Sequence, residues 1–168
     1  MLLLFDTKSE VLHDRVPISE VKPMKRGDFR VGGCTALIDA IGGAVHHIGN
    51  IHKYARKEDI PEHTVFVITT DGKENASQRY LAEEVKRMIK RQTDRYGWEF
   101  LFVAANIDAV ETAGKIGIRR ERAANYKQTP DGYEKCYAAM SEFVAMARCE
   151  STSIDSAWKR KLEEKRDA

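Results

Sequence analysis

Along the chain the spacing of apolar and polar positions switches between a strand-like and a helix-like period, and the switches divide it into elements. Leu2 to Phe5 and Val11-Leu12-His13 are short apolar runs on either side of the polar turn Asp6-Thr7-Lys8-Ser9, the pattern of a two-stranded hairpin. The stretch VPISEVKPMKRGDFRVGG then carries two prolines and three glycines and reads as a surface loop or a broken helix. From Thr35 the spacing changes. Leu37, Ile41, Val45, Ile48 and Ile51 recur every three or four residues, so an amphipathic helix starts at Thr35 or its neighbour and packs on a sheet. Thr35 is placed to cap that helix, and Gly42-Gly43 within it to permit close packing.

Val65 to Thr69 is nearly all apolar or β-branched, the composition of a strand covered on both faces and therefore of a parallel sheet. Leu81, Val85, Met88 and Ile89 define a second helix, Trp98 to Ala104 a second buried strand, and Asp108 the N-cap of the next helix. Ala123 to Tyr126 reads as a short edge strand, and Tyr133, Tyr137, Met140 and Val144 place a helix after Pro130-Asp131-Gly132. This order predicts an open, mostly parallel sheet with helices on both faces, spanning residues 1–150, with ligands at the strand C-terminal ends. Residues 151–168 form a separate tail. In it Ile154, Trp158 and Leu162 repeat at i, i+4 and i+8, which predicts an amphipathic helix docked on the sheet layer.

Composition narrows the classes of partner. The 168 residues suit one domain, and 28 basic against 26 acidic side chains leave a net charge of +2, too small to draw the chain to nucleic acid or to anionic lipid. Lys22, Lys25, Arg26 and Arg30 form a loose basic loop interleaved only by Phe29, read as a solvated surface. Cys34, Cys136 and Cys149 are an odd count without a C-x-x-C pair, which suits a reducing, cytoplasmic compartment. No segment reads as a signal peptide or a membrane span.

The candidate chemistry lies in two places. VFVITTDGKEN, residues 65–75, ends its strand on Asp71-Gly72, a carboxylate at the strand C-terminal end with a glycine that permits a tight turn. Gly32-Gly33-Cys34-Thr35 sets a hydroxyl at a helix start, on a loop that converges on the same face. Taken alone, Asp71 is a turn residue and Thr35 a helix cap. Together they suit a hard cation, which takes oxygen ligands.

GGCTALIDAI followed by VFVITTDGKEN resembles the second and third elements of a von Willebrand factor type A domain, and the continuation from Glu74 to Ile118 resembles its bacterial and phage intracellular members. The resemblance covers most of the chain and implies a three-layer, Rossmann-like α/β fold with an antiparallel edge hairpin. It also implies a metal-ion-dependent adhesion site built from D-x-S-x-S after the first strand, a threonine after a glycine-rich loop and the aspartate of a T-D-G turn. Thr35 and Asp71 match the last two. The D-x-S-x-S, its strand and the first helix are missing: Met1 falls within what resembles the second strand, and neither Asp6-Thr7-Lys8-Ser9 nor Asp155-Ser156 restores the motif. Asp6 is expected nearby. The site is thus incomplete, and the isolated chain is expected to bind Mg²⁺ or Mn²⁺ weakly or not at all.

In that family the sheet runs in the order 3-2-1-4-5-6, so the missing strand is the central one, flanked by Leu2 to Phe5 and Val65 to Thr69. Unsatisfied buried backbone groups cost about 1 to 3 kcal/mol each. The two strands are therefore expected to close on each other, or another chain to supply pairing, with a homo-oligomer through residues 1–15 as the expected form. The function expected is that of a protein-interaction module and not of an enzyme; the alternative is a fragment of a longer protein without independent function. A cysteine-dependent hydrolase through Cys34 is the rival class, but His46 and His47 lie about three turns along the helix, at roughly 1.5 Å per residue. Those histidines and His52 lack ligand spacing, and no phosphate-binding glycine motif occurs.

Overall fold

The computed structural model of the protein describes residues 1–25, 27–28, 32–149 and 156–163. It is a mixed α/β fold whose elements follow the predicted order: β1 (Leu2–Phe5), β2 (Ser9–His13), α1 (Leu37–Tyr54), β3 (Val65–Thr70), α2 (Ala82–Tyr96), β4 (Glu99–Ala104), α3 (Ala109–Lys115), β5 (Ala123–Asn125) and α4 (Pro130–Arg148). The sheet, however, is in two pieces. β1 and β2 form an antiparallel hairpin, while β3, β4 and β5 form a parallel sheet in that order, with Phe66 opposite Phe100 and Phe102 opposite Ala123. β1 and β3 do not pair with each other, so direct closure, one of the two expected alternatives, does not occur.

β4 is the centre of the fold because both of its faces are buried. Phe100, Phe102 and Ala104 join a cluster with Leu37, Ile41 and Val45 of α1, Val85 and Ile89 of α2, and Ala109 and Ala113 of α3. Leu101 and Val103 point the other way, into a second cluster with Cys136, Ala139 and Phe143 of α4 and with Trp158. At the start of the strand the buried Arg122 donates through Nε to Glu99 Oε2 at 2.8 Å. Helix ends follow local chemistry: Asp108 and Thr129 cap α3 and α4 by accepting from the N–H of Glu111 and Gly132. α2 stops at Gly97, in the left-handed region at φ 66°, where the Gly97 and Trp98 N–H groups close on the Thr93 and Gln92 carbonyls.

Three expectations need correction. β3 is not covered on both faces: Ile68 and Thr70 are buried, but Val67 and Thr69 are exposed, because β3 is an edge strand that α4 does not fully cover. The buried stripe of α4 is Cys136, Ala139, Phe143 and Ala147, whereas Tyr133 and Tyr137 are exposed; the small residues let the helix lie close to the sheet and turn the tyrosines outward. Thr35 does not cap α1, whose N-cap is Ala36, without a side-chain bond of its own. In the tail, Trp158 is fully buried edge-on to Phe143, with ring centroids 5.7 Å apart, and its Nε1 donates to the Glu121 carbonyl. A 3-10 turn at Ala157–Lys159 leads into a short helix at Arg160–Glu163; Ile154 and Asp155 lie outside the described residues.

Gly42 and Gly43 separate cleanly. A Cβ on Gly42 would stand 2.6 Å from the Tyr80 ring, which packs across α1, whereas one on Gly43 would meet nothing within 4 Å. Gly42→Ala is expected to destabilise the fold by about 1 to 3 kcal/mol through overpacking. Gly43→Ala is expected to stabilise it by up to about 1 kcal/mol through helix propensity. Urea unfolding of the two variants checks the opposite signs.

Candidate functional site

The residues singled out by sequence meet at the N-terminus of α1. On one side stands the hairpin turn, where Asp6 Oδ1 accepts from the Lys8 N–H at 2.8 Å. The loop before the helix locks onto that turn: Thr7 Oγ1 accepts from the Cys34 N–H at 3.0 Å, and the Asp6 carbonyl from the Ala36 N–H at 2.8 Å. Gly33 makes the approach possible. Its φ is 78°, and a Cβ there would fall 2.9 Å from Thr7 Oγ1 and 3.1 Å from the Asp6 carboxylate.

On the other side stands the loop after β3. The Thr35 N–H donates to Asn75 Oδ1 at 2.8 Å, and the Asn75 N–H returns a bond to the Thr35 carbonyl at 3.0 Å. The Thr35 hydroxyl lies against the Asp71-Gly72 turn, so close that a Cβ on Gly72 would be 2.8 Å from Thr35 Oγ1. Asp71 is exposed. Its Oδ2 accepts from Gln128 Nε2 at 3.2 Å and its carbonyl from Asn106 Nδ2 at 3.4 Å, tying the turn to the loops after β4 and β5. Asp6, Thr35 and Asp71 thus occupy three neighbouring loops at the C-terminal ends of β1 and β3.

What holds these loops is a set of residues that sequence reasoning passed over. The Glu74 carboxylate accepts from the N–H groups of Ile38, Ala76 and Ser77 at 2.8 to 2.9 Å and from the Ser77 hydroxyl at 2.7 Å. Ser77 Oγ accepts from the Asp39 N–H, and the Asp39 carboxylate accepts from the N–H groups of Gln78, Arg79 and Tyr80. Two N–H groups of the first turn of α1, those of Ile38 and Asp39, are therefore satisfied by a loop nearly forty residues further on. Burial pushes the Glu74 carboxyl up, but its hydrogen bonds outweigh this and hold it below its ordinary value. Asp39 follows the same balance. The only available signal was the polar run Lys73 to Ser77, which has no periodicity and looks like any surface loop.

The oxygens at this site fit a hard cation only in part. Asp6, Thr35 and Asp71 offer one hydroxyl and two carboxylates, both carboxylates already accept a hydrogen bond, and no group of three or more His, Cys, Asp or Glu is gathered for a metal among the described residues. Hard cations draw six or more oxygens, roughly. The remaining candidate side chains take no part in the bonds of these loops. His46 bonds Asn50, His47 bonds Asp14, and His52 packs edge-on against Trp98, where burial lowers its pKa. Lys22 and Lys25 are exposed, and Arg26 and Arg30 lie outside the described residues. Cys34 is an exposed thiol, whereas burial pushes the Cys136 thiol up to about 11. No helix among the described residues is long and apolar enough to cross a membrane. Compared with protein-family models, curated proteins and solved structures, the chain matches none.

The Glu74 network has a pH signature. A carboxyl held below its ordinary value of 4.5 contributes stability that is fully present above that pH and is lost as pH falls through the lower, folded value. Glu74→Gln is expected to cost about 1 to 3 kcal/mol at neutral pH. It should also flatten the loss of stability below pH 4.5, which chemical denaturation at a series of pH values measures.

Proposed function

We propose that the chain is a protein-interaction module of the von Willebrand factor type A kind, with an incomplete oxygen site at Thr35, Asp71 and Asp6. The observation that carries this reading is the meeting of those three residues at the start of α1, where Gly33 and Gly72 allow the flanking turns to close on Thr35. A helix N-terminus with oxygen donors on adjacent loops receives a ligand without needing a nucleophile. Mg²⁺ or Mn²⁺ is the cation such donors would take, bound weakly by this chain alone because the donors are few. The hydrolase reading draws no support, since the histidines it requires lie along α1, bonded to Asn50 of the same helix and to Asp14 after β2, and not to Cys34.

Two measurements test the reading together. Calorimetric titration of the chain with MgCl₂ or MnCl₂ is expected to show no saturable binding in the micromolar range, and micromolar affinity would overturn the claim of an incomplete site. A fusion that places an apolar strand ending in Asp-Gly-Ser-Gly-Ser ahead of Met1 is expected to gain binding and to lose it again with Asp71→Ala. Affinity that persists in that variant would remove Asp71 from the site.

A further inference from the structure

The loop that Asp39 holds ends on Tyr80, and Tyr80 opens onto a groove that takes no part in the bonds around Thr35. Its volume is about 310 Å³, and Tyr80, Glu84, Arg87, Met88 and Arg91 line it. Glu84, Arg87, Met88 and Arg91 follow one another at i, i+3, i+4 and i+7, so a single stripe of α2 supplies most of the lining. The apolar part is fixed. The Tyr80 N–H donates to Asp39 Oδ1 at 2.9 Å, the Tyr80 ring packs across Gly42 of α1, and both Tyr80 and Met88 rest on the cluster that includes Ile41, Val85 and Ile89.

The charges along this stripe do not cancel. Arg87 and Arg91 are exposed and stand one helical turn apart, about 6 Å along the axis, a spacing at which like charges repel. The acids beside them are engaged elsewhere: Glu83 pairs with Lys86 at 3.8 Å, and Glu84 Oε2 accepts from the Leu81 N–H at 2.9 Å, closing the N-terminus of α2. Neither Arg87 nor Arg91 makes a hydrogen bond or an ion pair among the described residues, and Asp94, the next acid along, bonds neither. The Arg79 guanidinium adds a further cation over the Tyr80 ring, 5.9 Å from its centroid. The groove is thus cationic where it is exposed and apolar where Tyr80 and Met88 are half-buried.

We propose that this groove binds a small organic phosphate, with the phosphate on Arg87 and Arg91 and a flat ring against Tyr80 and Met88. Guanidinium groups hold phosphate through paired N–H donors. Two of them without partners match the charge of a phosphate monoester, about −1.5 to −2 at neutral pH. Size selects a small molecule over a polymer, because small-molecule sites begin at roughly 300 Å³ and this groove is no larger. Lys90 and Arg95 extend the positive face of α2 but do not line the groove. Glu84, whose Oε1 has no partner among the described residues, favours a ring that carries a donor and disfavours a second anionic group. The proposal requires neither the interaction-module reading nor the cation.

The test is calorimetry and amide NMR on the full chain in metal-free buffer, with phenyl phosphate and AMP as probes and inorganic phosphate, phenol and a single-stranded oligothymidylate beside them. At least one of the two esters is expected to bind saturably with a Kd of about 1 mM or tighter, at least about tenfold tighter than inorganic phosphate or phenol. It should shift the amide signals of Tyr80, Arg87, Met88 and Arg91. Either ester supports the proposal, and the tighter one tells a single aryl ring from a nucleotide. The double variant Arg87→Gln with Arg91→Gln is expected to lose at least about tenfold in affinity and to keep its circular dichroism and urea midpoint, because neither side chain bonds anything in the fold. No saturable binding of either ester up to about 10 mM, equal affinity for inorganic phosphate, unchanged affinity in the double variant, or shifts confined to the first turn of α1 would each overturn the proposal. So would tighter binding of the oligothymidylate with shifts that spread to Lys90 and Arg95, the mark of a polyanion surface. Because the buffer holds no metal, this result stands apart from the cation titration.

Discussion

The first turn of α1 makes almost every other feature possible, because its backbone N–H groups have no partner within the helix and its N-cap, Ala36, offers no side-chain bond. Glu74 and Ser77 supply partners for Ile38 and Asp39 from the loop after β3, Asn75 holds the preceding Thr35, and the Asp6 carbonyl accepts from the N–H of the Ala36 cap. A single helix end thus fastens two sheets that share no ladder. The fastening is electrostatic and directional, with carboxylates set against the positive end of a helix dipole, so it fixes position as well as adding stability. Hydrophobic contact alone would let the hairpin slide along α1.

Local pattern was enough for the elements, and it failed where distance in sequence mattered. The periodicity of Leu37, Ile41 and Val45, the apolar run of β4, and the cap at Asp108 are set by neighbours within a few residues, and each forms as its sequence predicts. The side of β3 that faces water, by contrast, depends on where α4 lands. VFVITT carries no trace of that, because an edge strand and a central strand can have the same composition. The tyrosines of α4 misled for a related reason. Tyr133 and Tyr137 form a convincing apolar stripe, but the sheet accepts the thinner Cys136, Ala139 and Phe143 face.

Of the candidate site, Thr35, Asp71 and the nearby Asp6 were legible as types and positions, since a hydroxyl and an acid at strand-to-helix turns have few places to go in such a topology. Their support was not. Glu74 and Asp39 work through bonds that span about forty residues, and a lone acid in a polar run gives no hint of its acceptor geometry. Gly33 and Gly72 carry half of the signal. Both looked like ordinary turn glycines, yet each is held by a close approach from a partner on another loop.

Trp158 has a consequence for how the molecule is partitioned. Its indole is sealed between Phe143 and the carbonyl of Glu121, just before β5, while Lys159 Nζ donates to the Arg120 carbonyl. The tail is thereby anchored near the strand N-terminal ends, far from Thr35, and it belongs to the cluster on the α4 face of β4. The fold has two poles with separate duties: one polar and built from hydrogen bonds that a ligand could join, the other a dry plug that shuts the opposite layer. Cutting the chain ahead of Trp158 would unseat the plug and loosen α4 first, while the pole at the head of α1, fastened by its own bonds, would be the last to feel the loss.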